Sequence, residues 1–350
     1  MLGRWKKIQI SKIDFQEFIK SAFTVLENSR TIILVPNNTQ ANWLGVKNAT
    51  MSMFPHNHII LPQSYSNSLL SEVQRDEFTK TIINKGVKLV IFSGIPNYAI
   101  DWIRQFHQKD IKCGVIYHGG LAELASNPTR QIQLTELLKL SNSGIIERIG
   151  VVKEGLDDWF KLKTKAKIFR VIPNLKPPTG IKFKKFTDGK IHIGIFGNSS
   201  YNKNRHTQVV AASLIENSII HILSPNEFDY ALPPERLVIH ENLNHHDFLT
   251  LLGSMHVNLY CSYSESWGQV VLESLVMETP CVTTSNSGLL KWDEELTKYL
   301  VVQHYDNISA IKKHIENILE NYEIISELGK NYISTINKIS DEYLDKIIAC

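Results

Sequence analysis

Short apolar runs rich in β-branched residues alternate with helix-period patterns along almost the whole chain, and few folds accept such an alternation. The runs "TIILVP" (31–36), "HIILP" (58–62), "KLVIFS" (88–93), "CGVIYH" (113–118), "RIGVV" (148–152) and "IFRVIP" (168–173) read as strands. Patterns such as "YAIDWIRQFHQ" and "RQIQLTELLKLS" between them read as helices. Residues 174–190, "NLKPPTGIKFKKFTDGK", then carry a proline pair, glycine and charge without a sustained hydrophobic period. Beyond them the alternation restarts with "IHIGIFG" (191–197), "SIIHILS" (218–224), "RLVIHE" (236–241), "HVNLYCS" (256–262), "PCVTTS" (280–285) and "YLVVQ" (299–303). Strands separated by helices form parallel sheets with helices on both faces. The expectation is an α/β protein of two doubly wound parallel-sheet domains, 1–178 and 179–329, with a final helix over 330–350 returning to the first. Open parallel sheets bind ligands beyond the carboxyl ends of their strands, so a cleft between two such domains is the expected site.

The 350 residues suit two cores better than one. With 43% hydrophobic and 21% charged residues and no apolar run near the ~18 to 20 residues of a membrane span, the composition is that of a soluble globular protein. No signal-peptide core follows the basic start, because Lys12, Asp14, Gln16, Glu17 and Lys20 interrupt the apolar content. Cys113, Cys261, Cys281 and Cys350 have neither metal-ligand nor redox spacing, which predicts free thiols and a cytoplasmic location. A net charge of +3 without a basic stripe argues against nucleic acid. Two local basic patches, "GRWKK" (3–7) and "IKFKKFTDGK" (181–190), are solvated surface, or a contact with a phosphate-bearing acceptor or with an anionic membrane at its inner face.

The chemistry concentrates in "YSESWGQVVLESLVMETPCV" (263–282), which reads loop, helix, strand. Val271 with Leu275 and Leu272 with Val276 form the apolar face, Pro280 ends the helix, and Ser264 or Ser266 is placed to cap it. Glu265 falls in the loop and Glu273 about two turns on, roughly 8 to 12 Å away along the axis if the spacing is helical. That separation excludes a shared proton or small metal ion. Because helical side chains lean toward the N-terminus, Glu273 still reaches a ligand over the first turn. The N–H groups near Ser266, Trp267, Gly268 and Gln269 would meet negative charge at its middle, with Gly268 allowing close approach. Hydroxyls at both ends and phosphates between describe a nucleotide-sugar.

This segment resembles the signature of the family 4 retaining glycosyltransferases, which have the GT-B fold. The residues that carry it are Glu265, Trp267, Gly268, Glu273, Pro280, Cys281 and Val282. The likeness extends to "YHGG" (117–120), "VIPN" (171–174) and "IGIFGNSSYNKN" (193–204). It implies that Glu265 contacts the sugar hydroxyls of the donor, Glu273 the ribose hydroxyls and Lys203 the diphosphate, while His118 faces the sugar. Where the family usually has an arginine after the strand-ending glycine, this chain has Asn198, and Arg205 is the candidate substitute. Its glycine-rich loop after the first strand is replaced by "VPNNTQANWLG", with Asn37, Asn38 and Gly45 as candidate lining residues. The implied substrate is a UDP- or GDP-sugar, with a glycan, lipid-linked or protein acceptor and no metal or other cofactor.

Plainer readings stand beside these. Glu273 also reads as a solvated helix residue, Glu265 as a carboxylate favoured at any helix start, His118 as a core histidine, and Lys203 and Arg205 as surface cations. The pairs His245-His246 and His56/His58 lack a third ligand, which argues against metal. Base recognition is expected from residues 224–228 and 243–245. The competing function is a non-catalytic scaffold of the same fold that binds a glycan or a partner glycosyltransferase. A dehydrogenase is disfavoured, since no Gly-x-Gly-x-x-Gly follows any strand.

Overall fold

The computed structural model describes the chain apart from residues 1–9, 38–40, 63–69, 177, 224–227, 229 and 350. The "GRWKK" patch, Asn38, Cys350 and most of the 224–228 loop therefore lie outside the described residues. The chain divides into two compact units, Met1–Asn174 with Ser340–Cys350, and Leu175–Ile339.

In the first unit β1 (Thr31–Pro36), β2 (His58–Leu61), β3 (Leu89–Ser93), β4 (Lys112–Tyr117), β5 (Arg148–Val151) and β6 (Lys167–Arg170) form one parallel sheet in the order β2-β1-β3-β4-β5-β6. All residues of β1 and β3 are buried, as expected for strands covered by helices on both faces. The helix Asn97–His107 lays Trp102 and Phe106 on this sheet. Trp102 packs edge-on to Phe78 and Phe92, and its indole N–H donates to Thr79 Oγ1 at 2.9 Å. The end of the helix Tyr322–Ile348 belongs to this unit: Arg148 Nη1 donates to Ile347 O at 2.9 Å and Thr31 Oγ1 to Ile348 O at 3.0 Å. Gly45, read as part of a loop, stands inside the helix Ala41–Met53, and Asn37 accepts from Lys47 Nζ at 2.7 Å.

The second unit holds β7 (Ile191–Ile195), β8 (Ser218–Leu223), β9 (Leu237–His240), β10 (Val257–Tyr260), β11 (Cys281–Thr284) and β12 (Val301–Val302), parallel in the order β12-β11-β10-β7-β8-β9. The strand order reverses between β7 and β10, and the crevice at such a switch point is where open α/β sheets bind ligands. All twelve strand candidates of the sequence are strands here.

Residues 181–190 do not form a uniform basic face. Phe183 packs so closely on Gly253 that an added Cβ would come within 2.5 Å of its ring, and Phe186 stacks on His192 with ring centroids 3.9 Å apart. Lys185 Nζ donates to Met255 O at 2.7 Å and Thr279 Oγ1 at 2.6 Å, and burial lowers its pKa to about 8 against the opposing Glu278. The two rings and this ammonium strap the segment to its own unit. Among the described residues no helix is long and apolar enough to cross a membrane.

Candidate functional site

The register of β7 against β10 sets Ile195 beside Leu259, so the segments that follow both strands leave the sheet side by side. From β7 the chain runs through Gly197 and Asn198 into the short turn Tyr201–Lys203, and from β10 through Cys261 to Glu265. Two side-chain amides and one backbone N–H tie the two together. Asn202 Nδ2 donates to Ser264 O at 3.2 Å, Asn204 Nδ2 to Cys261 O at 3.0 Å, and Tyr263 N to Asn202 O at 2.8 Å. Asn204 takes a left-handed conformation, φ 51°, a region that asparagine tolerates better than most residues.

This lacing brings Lys203 and Glu265 into a direct ion pair, with side chains 14% and 13% exposed. Tyr260, the last residue of β10, accepts from Lys203 Nζ at 2.9 Å, and its ring centroid lies 5.2 Å from that nitrogen. Burial works against the ammonium, and Tyr260 and the Glu265 carboxylate outweigh it, so Lys203 titrates above the ordinary lysine range. Burial also raises the Tyr260 hydroxyl. The site therefore keeps a charged amine beside a carboxylate and a neutral phenol at neutral pH.

Four residues beyond Glu265 the helix Gln269–Val276 begins. Its N-cap is Gly268 at φ 86°, and no side chain caps it, so neither Ser264 nor Ser266 fills the expected role. The reason is geometric: the chain turns through a left-handed glycine. Only the part of the Glu265 to Glu273 interval after Gly268 is helical. Trp267 is buried against Trp292, with ring centroids 6.2 Å apart. Its Nε1 and both polar atoms of the Gln269 amide are buried without a hydrogen-bond partner among the described residues. Orphaned groups of this kind are rare in folded interiors and call for a reason.

Glu273 projects from the middle of this helix and is 4% exposed. Its Oε1 accepts from His245 Nε2 at 3.0 Å. Burial raises its carboxyl pKa and His245 opposes the shift. The solvated-helix reading of Glu273 is thus wrong for this chain.

Asn198, at the position of the missing arginine, and Arg205, its candidate substitute, each bond within the second unit. Asn198 Oδ1 accepts from Ser200 N at 3.0 Å and shapes its own turn. Arg205 is 3% exposed; its Nη2 donates to Leu223 O at 2.9 Å and its guanidinium lies over Phe228, 5.0 Å from the centroid. The guanidinium is buried at the end of β8, which corrects the reading of Arg205 as a surface cation.

His118 belongs to the first unit, one residue past β4, and is 7% exposed. Its Nε2 meets Ser93 Oγ at 3.0 Å, Ser93 Oγ meets Thr50 Oγ1 at 2.7 Å, and Thr50 donates to Val46 O at 2.7 Å. The Thr50 proton goes to a carbonyl, which can only accept, so Ser93 donates to Thr50 and His118 Nε2 donates to Ser93. Nδ1 is left as an acceptor. Burial, with Arg130 in support, lowers the pKa of His118 to about 3, so it stays neutral.

Two residues here were not singled out as site residues by their sequence: Tyr260 and His245. His245 appeared only within a histidine pair and a candidate base-recognition loop. Cys113, Cys261 and Cys281 are buried and free, and no group of three or more metal-ligating side chains occurs among the described residues.

Residues 226–335 match the model of the family described as glycosyl transferases group 1. HepE of Anabaena, solved with UDP and glucose, is similar in structure with a TM-score of 0.64 at 11% identity, over 90% of this chain and 99% of its own. Sucrose-phosphate synthase from Thermosynechococcus elongatus has a TM-score of 0.58 at 13% identity, over 91% and 95%. A glycosyltransferase from Rickettsia africae has 0.60 at 12% identity, over 92% and 99%. No curated protein matches the chain in sequence. The two parallel sheets and these likenesses define the class: this is a protein of the GT-B fold. The family match falls on the second unit and includes Glu265 and Glu273, while Lys203 precedes it.

Proposed function

We propose that the protein is a retaining glycosyltransferase that moves a sugar from a nucleoside diphosphate donor to a glycan, lipid-linked or protein acceptor. The observation that carries this reading is the partly buried Lys203–Glu265 pair, set at the strand-order switch beside a helix start that no side chain caps. The bond to be broken joins a sugar, whose hydroxyls and developing positive charge suit a carboxylate, to a phosphate, which suits an ammonium. An adjacent carboxylate and ammonium are the two halves of that requirement.

In this reading Lys203 and the N–H groups at the start of the helix Gln269–Val276 stabilise charge on the departing diphosphate, the largest contribution expected of such a site. Glu265 orients the sugar hydroxyls, and Glu273 accepts from the ribose hydroxyls. His118, neutral and with Nδ1 as acceptor, receives a hydrogen bond from a sugar hydroxyl. Protein groups supply the positive charge at the diphosphate, and the departing phosphate takes the acceptor's proton, so no base behind the sugar is needed.

The test is a thermal-shift screen against UDP, GDP and ADP and their sugars. A nucleoside diphosphate at about 100 times its dissociation constant should stabilise by about 2.7 kcal/mol. Glu273→Ala should weaken nucleotide binding, and Glu265→Ala should mainly slow transfer. Protein that gains no stability from any nucleoside diphosphate and turns over no nucleotide-sugar belongs to the scaffold reading instead.

A further inference from the structure

We infer that His245 is the positioning residue for ribose recognition: it acts through Glu273, fixing the carboxylate so that one oxygen is committed to the protein and the other faces the nucleotide. The inference rests on the proposed function of the second unit and adds to it a residue outside the implied set.

A carboxylate as buried as Glu273 requires partners, because removing it from water without them is costly. Among the described residues the hydrogen bond from His245 Nε2 to Oε1 is the one it receives, and no lysine or arginine pairs with it. An ionised carboxylate can only accept, so Nε2 is the protonated nitrogen. One oxygen is thereby held, and the carboxylate plane with it. Oε2 has no protein donor among the described residues, and a pair of vicinal hydroxyls is a donor set that suits it.

The helix that carries the imidazole is well anchored. His245 opens the helix His245–Ser254, whose N-cap Asn244 accepts from Asp247 N at 3.0 Å. Leu249 and Leu252 of that helix share an apolar cluster with Phe196, Met255 and Met277, against which Phe248, Val270 and Val276 pack. The seam fixes the distance between the helices that carry His245 and Glu273. A bond between residues 28 apart in the chain thus becomes a rigid support.

The decisive measurement compares the binding of whichever of UDP, GDP or ADP binds the full-length protein with that of its 2′-deoxy and 3′-deoxy forms, by calorimetric titration. The wild type should prefer the ribose form by about tenfold or more, the value of a hydrogen bond to a charged acceptor. His245→Ala should reduce that preference to about threefold or less while the affinity for the deoxy form moves by less than about threefold. His245→Gln, which returns a donor near the Nε2 position, should retain the preference. His245→Asn, whose amide stops short of Glu273, replaces the alanine variant if that one does not fold.

A preference that collapses in Glu273→Ala but stays at the wild-type value in a folded His245→Ala or His245→Asn overturns the inference and leaves the proposed function standing. Failure of every nucleoside diphosphate to bind overturns both.

Discussion

Lys203 and Glu265 stand 62 residues apart in the chain and form a partly buried ion pair at the carboxyl ends of β7 and β10. Neither side chain could be left there alone. Removing one partner of a buried pair leaves an uncompensated charge, whereas removing both leaves none. Lys203→Met or Glu265→Gln should therefore each destabilise the second unit by about 1 to 3 kcal/mol, and the double variant by less than the sum. Urea unfolding of the four proteins measures the coupling. Strictly additive losses would mean that the two groups do not interact in solution.

Glu273 should show the opposite sign. Its folded-state pKa is raised by burial, with His245 opposing, so stability is fully present below the ordinary carboxyl pKa and is lost as pH rises through the folded value. Glu273→Gln should thus melt at the same temperature as the wild type or higher, and bind nucleoside diphosphate about tenfold more weakly. A marked drop in melting temperature would assign Glu273 a structural role.

Acid sensitivity follows from two buried neutral histidines, one in each unit. His118 titrates near 3 because of burial and Arg130; His221 titrates near 3 because of burial and the neighbouring His240 and His192. Both values lie below the unfolded value of about 6.5, so between pH 6.5 and 3 the unfolded chain binds the extra protons and stability falls as pH falls. Each histidine removes roughly 1.4 kcal/mol per pH unit in that window. Differential scanning calorimetry at pH 7.5, 6 and 5 should show a falling melting temperature, and an unchanged one would refute the account.

Gly194 of β7 lies against the side chains of Asn258 and Phe196. A Cβ there would come within 2.2 Å of both Asn258 Oδ1 and the Phe196 ring. Asn258 is fully buried and donates to Leu252 O at 3.2 Å and to Ser274 Oγ at 3.2 Å, so it cannot move freely. Gly194→Ala should cost about 1 to 3 kcal/mol by overpacking, read as an earlier unfolding midpoint in urea. An unchanged midpoint would show that this layer has room.

The sequence alone determined the strands, the α/β class and the spacing of Glu265, Gly268 and Glu273, because strand and helix periodicity and the punctuation by proline and glycine act over a few residues. Tertiary structure decided which groups meet. Strand order placed β7 beside β10 and so gave Lys203 its partners Glu265 and Tyr260, and helix packing gave Glu273 its partner His245. It also turned Arg205 toward the end of β8, folded Lys185 out of an apparently basic patch, and let Gly268 in place of a serine begin the helix. A hydrogen bond or ion pair depends on a distance of a few ångströms between residues far apart in the chain, and no local pattern carries that distance.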